Sequence, residues 1–492
     1  MRLSDATLAA LPAAIARPAY DRAGLKAGIV HVGCGNFHRA HMAVYMDDLF
    51  GLGLDHDWAI LGAGVRAPDA AMRAALEPQD WLTTVIELEP GAHRARVTGA
   101  MVGFLPVERG NAALIAAMSD PAIRIVSLTV TEGGYFIDPK TGTFSPDHPE
   151  IRRDAASPAA PDTVFGAMVA ALKARRAAGT APFTVMCCDN VPHNGRVTRD
   201  AVVGLCRLSD PALADWIAAH VAFPNAMVDR ITPATGERER AMAAAMGVED
   251  AWPVTCEPFR QWVIEDNFPT GRPRLEKVGV TFTDQVDRFE TMKIRILNGG
   301  HAVIAYPGGL LGIEYVHEAM AHPLIRAFLD AVETREILPI VPPVPGQDLQ
   351  AYRALILERF SNPEIGDTIR RLCLDGSNRQ PKFIIPSIRD NRARGVLPDG
   401  LILLSALWCR YCEGTTESGA EIAPNDPNWE ALVARARAAR GDPGAWLAMA
   451  EVYGDLGQDG AVAARFGQWL RAVRAEGTEA VLRRYLDGRG PG

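Results

Sequence analysis

Gly28-Ile-Val-His-Val-Gly-Cys-Gly-Asn-Phe-His-Arg-Ala-His41 runs from a β-rich segment through a glycine turn into a helix that carries residues 42–49. Ile and Val in succession favour an extended strand, and two glycines one residue apart allow the chain to reverse tightly. This is the order of a nucleotide-binding β-turn-α unit. The spacing departs from the dinucleotide fingerprint at His38, where a third glycine would permit close packing of helix on strand. Two glycines still suffice for the turn and for a backbone approach to a pyrophosphate, and a helix start adds unpaired N–H groups. Gly33, Gly35, Asn36, Phe37 and His38 are therefore the candidate cofactor-binding residues of the turn, against the plainer alternative of a structural turn without a ligand.

Residues 58–64 read as the next strand, and residues 123–130 and 183–188 as further buried strands, with helical stretches such as 163–178 between them. Strands separated by helices argue for a doubly wound parallel sheet, an α/β fold. The strand at 58–64 ends without the acid that would bind an adenosine ribose; Arg66 and Asp69 follow. Asp69 favours NAD through the ribose hydroxyls, whereas Arg66 attracts the 2′-phosphate of NADP, so both cofactors stay open. From about Phe289 the β-rich runs give way to alanine- and leucine-rich amphipathic stretches such as 322–337, 429–440 and 460–475. A Rossmann-like domain over 1–288 and a mainly helical domain over 289–492 follow.

Two loops follow buried strands. Thr131-Glu-Gly-Gly-Tyr135 carries Glu132, and Cys188-Asp-Asn-Val-Pro-His-Asn-Gly195 carries Asn190, whose amide suits an alkoxide as well as a structural cap. Loops at the carboxyl edge of an open sheet are where such folds bind ligands. Adjacent Cys187 and Cys188 point in different directions along a strand, and no pair of C-x-x-C motifs exists, so no metal is expected. Lys293-Ile-Arg-Ile-Leu-Asn-Gly-Gly-His301 joins an amine, an amide and an imidazole at the start of the helical half. At about 100° per residue, Asn298 and His301 stand about 140° and 80° from Lys293 and border one broad face. Each glycine of the pair 299–300 disfavours a helix interior by roughly 1 kcal/mol relative to alanine. Something is therefore expected to approach the backbone there, substrate or nicotinamide at an interdomain cleft.

The 492 residues, 48% hydrophobic and 22% charged, are those of an ordinary globular protein. A formal charge of −8 gives no overall attraction to phosphate backbones or anionic membranes, so nucleic acid is not an expected partner. No run of apolar residues is long enough for a membrane span, and the start of the chain does not read as a signal peptide. With eight scattered cysteines, reduced thiols and a cytoplasmic location are expected.

These residues resemble the polyol-specific long-chain dehydrogenase family. The matching blocks are Gly33-x-Gly-x-Phe-His-Arg-Ala-His41, Thr131-Glu-Gly-Gly-Tyr135, Cys188-Asp-Asn-Val-Pro-x-Asn-Gly195, Phe223-Pro-Asn-x-Met-Val-Asp-Arg-Ile-Thr-Pro233, the set Lys293, Asn298 and His301, and Asp375-Gly-Ser377, in family order. The resemblance implies a nicotinamide cofactor, no catalytic metal, and interconversion of D-mannitol and D-fructose, with D-arabinitol and D-sorbitol as related substrates. It implies Lys293 as general base, Asn190 and Asn298 as the amides on the reacting oxygen, and His301 as a substrate-orienting residue. It further implies Val228 and Asp229 as substrate wall, Arg371 as a polar clamp on the sugar chain, and Glu132 near a proton exit path. A base and two preorganised amides are what hydride loss from a poorly acidic alcohol needs, provided the amine's pKa falls from about 10.4 toward 7 or 8. Arg379, with Lys382 close by, stands where some members have lysine, and a planar fork is not equivalent to an ammonium. A hexuronate reductase acting on fructuronate and mannonate is the alternative within the class, and a non-catalytic dinucleotide-binding redox sensor the alternative outside it. The family's habit sets the expectation of a monomer.

Overall fold

β1 (Ala27–Val32) occupies the middle of a five-stranded parallel sheet, with β2 (Ala59–Ala63) and β5 (Met101–Phe104) to one side and β6 (Ile125–Leu128) and β7 (Thr184–Cys187) to the other. This computed structural model describes residues 1–138 and 141–491, without the side chain of Glu132. Successive side chains of a strand point to opposite faces, and both faces of this sheet are covered. Val30, Val126 and Val185 pack with Phe165 and Leu172 of the helix Val164–Ala177. Ile29, Ile60, Ile125 and Met186 pack with Met46, Leu49 and Phe50 of the helix Met42–Gly51. Burial of each such side chain stabilises by about 1.5–3 kcal/mol. The doubly wound parallel sheet read from the sequence is thus present.

Two smaller sheets complete this unit, and neither is foreshadowed in the sequence. β3 (Thr83–Glu89) pairs antiparallel with β4 (Ala92–Thr98) and parallel with β9 (Val254–Cys256). β10 (Gln261–Ile264) pairs antiparallel with β8 (Ala226–Asp229) and parallel with β11 (Thr281–Phe282). These strands are two to seven residues long, and several carry charged residues on one face, so no long apolar run announces them.

The chain divides into two compact units, Met1–Val286 and Asp287–Gly492. The second is helical: the helix Asp399–Tyr411 packs between the helices Gly299–Leu310 and Gly460–Glu476. Among the described residues no helix is long and apolar enough to cross a membrane. The stretch read as one helix over 322–337 is an α-helix, Pro323–Val332, that widens into a π turn, Glu333–Ile337. Glu336 on that turn is 6% exposed and caps the helix Asp399–Tyr411 from outside. Its carboxylate accepts the N–H groups of Gly400 (2.7 Å) and Leu401 (2.9 Å) and the hydroxyl of Tyr485 (2.9 Å). Four N–H groups at a helix start lack partners within the helix, and a buried carboxylate supplies two.

Burial nevertheless raises the Glu336 carboxyl to about 7, from an ordinary 4.5. An acid whose pKa is raised on folding binds its proton more tightly in the folded state. Its contribution is fully present below pH 4.5 and is lost as pH rises through 7. The difference amounts to roughly 3 kcal/mol. Glu336→Gln is therefore expected to be less stable than the parent at pH 5, with a gap that narrows by pH 8. Urea unfolding of both proteins at the two pH values measures it; a gap independent of pH would remove this assignment.

Candidate active site

Pairing registers align the carboxyl ends of four strands. Val32 of β1 lies beside Ala63 of β2 and Leu128 of β6, and Leu128 lies beside Cys187 of β7. The loops that follow these residues therefore leave the same edge side by side. Gly33 begins the first with φ +95, and a Cβ there would collide with the carbonyl oxygen of Thr129. At Gly35 a Cβ would meet nothing within 4 Å. The turn is closed from beneath by the protein and open above, the form of a cradle for a phosphate. Gly33→Ala combines left-handed backbone strain with this collision and is expected to lower stability by about 2–4 kcal/mol. A thermal unfolding midpoint equal to the parent's would contradict the geometry.

Buried histidines support the turn. His31 Nδ1 lies 2.7 Å from Ser127 Oγ, and Nε2 lies 2.9 Å from Thr129 Oγ1 and 3.3 Å from the Gly33 carbonyl oxygen. Burial lowers His31 to about 3, so the ring is neutral. His38 stacks on it, with centroids 3.5 Å apart, and is 1% exposed. The side chain in place of the third glycine thus lies inside the fold instead of facing a ligand. Asn36 is also engaged: Nδ2 donates to the Pro233 carbonyl and Thr235 Oγ1 at 2.9 Å, and Oδ1 accepts from Arg39. Phe37 stacks on His41 at 4.8 Å. Of the expected turn residues, the two glycines shape the cradle, while Asn36, Phe37 and His38 hold it in place with their side chains.

Above the strand ends, Val32, Gly33, Val65, Asp69, Thr131 and Phe136 wall a cavity of about 230 Å³. Asp69 Oδ2 accepts the N–H groups of Val65 (3.0 Å) and Arg66 (2.9 Å), which fixes the carboxylate at the start of the helix Ala67–Leu76. Arg66 is exposed and pairs with Glu150 at 3.1 Å. Asp189 is a residue that the sequence reading passed over. Its two oxygens accept from the N–H groups of Val130 (2.8 Å) and Thr131 (3.0 Å), and Tyr135 donates to it at 2.6 Å. Asp189 ties the Thr131 loop to the loop that carries Asn190, which is exposed. Asn194 braces the same loop, its amide donating to the Ala226 carbonyl at 2.7 Å and accepting from the Ala226 N–H at 2.9 Å. The side chain of Glu132 lies outside the described residues. Val228 and Asp229 end β8 and are buried.

In the second unit, Lys293–Asn298 is a π turn followed by the helix Gly299–Leu310. This corrects the α-helical reading. An i→i+5 turn holds about 4.4 residues, so each residue advances by about 82°. Five such steps bring Asn298 to within about 50° of Lys293, where an α-helix would leave about 140°. Three α-helical steps then return His301 to within about 10° of the Lys293 azimuth. The wider turn gathers the three side chains more closely than the sequence reading expected. Lys293 is 6% exposed, and Arg295 anchors the turn by donating to Ser387 Oγ and Asp390, both at 2.6 Å.

The expected close approach at the glycine pair is real, and the protein itself makes it. A Cβ at Gly300 would lie 2.7 Å from Glu333 Oε1 and 3.3 Å from Phe360 Cε2, whereas Gly299 has only ordinary contacts at 3.6 Å and beyond. Phe360 also stacks on His301, with centroids 4.1 Å apart. Burial, reinforced by the charges of Arg371, Arg359, Arg379 and Lys293, holds the His301 pKa well below its usual value. Its imidazole is therefore neutral, and Nε2 is buried without a hydrogen-bond partner among the described residues. Arg371, expected as a polar clamp on the sugar chain, has Nε and Nη2 on Asp367, four residues earlier. Arg379 anchors Nη1 on the carbonyls of Arg371 (3.1 Å) and Leu372 (3.3 Å).

The sequence matches two family models, the mannitol dehydrogenase Rossmann domain over residues 27–277 and the mannitol dehydrogenase C-terminal domain over residues 285–474. It is 68% identical to the mannitol 2-dehydrogenase of Cereibacter sphaeroides over 472 residues, 96% of this chain and 99% of that protein. The mannitol 2-dehydrogenase of Aspergillus terreus is 42% identical over 482 residues, 96% and 95% of the two chains. Among solved structures, the Pseudomonas fluorescens mannitol 2-dehydrogenase in ternary complex with NAD and D-mannitol superposes with a TM-score of 0.88 at 42% identity, covering 99% of this chain and all of that one. A substrate-free D-sorbitol dehydrogenase superposes with a TM-score of 0.90 at 34% identity, covering 98% of this chain and all of that one.

Proposed function

The chain belongs to the mannitol dehydrogenase family, and we propose that it is an NAD-dependent polyol dehydrogenase that interconverts D-mannitol and D-fructose. The observation that carries the chemistry is the π turn, which aligns an amine, an amide and a neutral imidazole on one face of a helix. NAD fits the first unit: the cradle at Gly33 and Gly35 suits a pyrophosphate, and the cavity beside Asp69 suits the adenosine ribose. The chemistry supplied by the bound nicotinamide is acceptance of hydride from the carbinol carbon.

The residues of the chain do the rest. Lys293 takes the hydroxyl proton as general base, from a buried position that disfavours water as competitor. Asn298 and Asn190 donate their amide N–H groups to the oxygen as negative charge grows on it. His301, neutral, orients a neighbouring hydroxyl and carries no proton in the reaction. In ketose reduction the Lys293 ammonium returns the proton to the carbonyl oxygen. Arg371 retains a sugar-facing role only through whatever its Asp367 pairing leaves exposed, so Arg379 is the stronger candidate for contact with the distal end of the substrate. The guanidinium groups of Arg359, Arg371 and Arg379 near His301 keep a sugar acid as the second reading.

NADH formation is to be followed with D-mannitol, D-arabinitol, D-sorbitol and D-mannonate. D-Mannitol is expected to give the highest kcat/KM. A preference for D-mannonate would transfer the assignment to hexuronate reduction, and no activity on any of the four would end the dehydrogenase reading.

A further inference from the structure

Nε2 of His301 has no hydrogen-bond partner among the described residues, and the outermost torsion of a histidine side chain is broad, so packing must set the plane of the ring. Phe360 does this. It is 2% exposed at the end of the helix Leu349–Phe360 and lies flat against the imidazole, with centroids 4.1 Å apart and planes 16° from parallel. The same phenyl ring reaches the backbone one residue earlier, where a Cβ on Gly300 would meet its Cε2 at 3.3 Å. Glu333 comes to that point from another element, the π turn Glu333–Ile337, and its Oε1 would lie 2.7 Å from the same Cβ. Glu333 is wholly buried, and neither of its oxygens has a hydrogen-bond partner among the described residues. A buried polar group in that condition is unfavourable and asks for a role. Burial pushes its carboxyl well above the usual range, so the group is uncharged. Arg353 Nε stands 3.4 Å from Oε2, and the other end of the guanidinium pairs with Asp330. Arg353 shares a helix with Phe360, and Asp330 lies on the helix Pro323–Val332 that runs into the Glu333 turn. One guanidinium thus fastens together the two elements that meet over Gly300.

We propose that Phe360 and Glu333 are positioning residues for His301: Phe360 fixes the plane of the imidazole, Glu333 seats the backbone that carries it, and Arg353 with Asp330 locks the two together. The proposal rests on the substrate-orienting role given to His301 above. Each residue acts through the ring it holds and takes no part in proton or hydride transfer. An uncharged carboxyl suits the task, since it sets a polar group of fixed size against Gly300 without placing an anion one residue from an imidazole that must stay neutral.

Phe360→Leu keeps an apolar side chain and removes the flat face, and Glu333→Ala opens the space over Gly300. Each is expected to lower kcat/KM for D-mannitol by about tenfold or more, chiefly in kcat, through lost orientation of the substrate. Phe360→Tyr and Glu333→Gln restore the ring face and the uncharged polar group, and should return the value to within about threefold of the parent's. In a His301→Ala background the losses caused by Phe360→Leu and Glu333→Ala should shrink to about twofold or less, because the ring through which they act is gone. Losses of full size in that background, or parent-like turnover in either single variant, would overturn the positioning role and leave that of His301 standing. A His301→Ala variant as active as the parent would instead reject the substrate-orienting role of His301, and the positioning of its ring with it.

Discussion

Lys293→Ala is expected to lower kcat for D-mannitol oxidation at neutral pH by about 10²- to 10⁴-fold, the usual range for loss of a positioned base. The side chain is buried on a turn that Arg295 pins to Ser387 and Asp390, so truncation leaves the backbone anchored and removes an amine from a fixed place. NADH affinity should be unchanged, because the cradle at Gly33 belongs to the other unit. In the parent, kcat for oxidation should rise with pH as the amine loses its proton and then level; the variant should lack that limb. Small primary amines added to the buffer should restore part of the rate, an effect that a purely structural lysine would not show. Near-normal turnover at neutral pH would reject Lys293 as base.

Asn298→Ala is expected to reduce kcat by about 10²- to 10³-fold with little change in KM, the pattern for a donor that tightens only as charge develops. Asn298→Asp is the sharper test. Aspartate keeps the shape of asparagine and would serve a packing role well, yet it sets a negative charge against the forming alkoxide. It should therefore be at least as damaging as alanine, and recovery of activity in Asn298→Asp would assign Asn298 to packing. Asn190→Ala should follow the same kcat pattern from its loop beside Asp189.

The strand and glycine turn at Gly33 were legible because their signal is local: β-branched residues, two glycines and a following helix, each with its own backbone preference. The helical second unit was legible from its 3.6-residue periodicity. The mixed sheets of β3, β4 and β8–β11 were not, since short strands that pair across long stretches of chain leave no run of apolar residues to detect. At the candidate site, residue types were readable but their engagements were not. Nothing near His38 announces that its ring stacks on His31, and nothing near Gly300 announces the Glu333 carboxylate, because both partners are set by tertiary packing. Arg371 is the exception. Asp367 lies four residues earlier, a spacing that favours pairing on a helix and was open to inspection.

A π turn is a helix that carries one residue more than its regular winding accommodates. Between Lys293 and Asn298 that surplus residue trades length against winding: loss of one residue among 294–297 with relaxation to ordinary α winding would leave Lys293 and Asn298 about 40° apart instead of about 50°, whereas relaxation at full length would part them by about 140°. A descendant of unchanged length whose segment rewinds as an α-helix would read as intact in an alignment that scores only residue identity. The winding, not the letters, would mark it as silent.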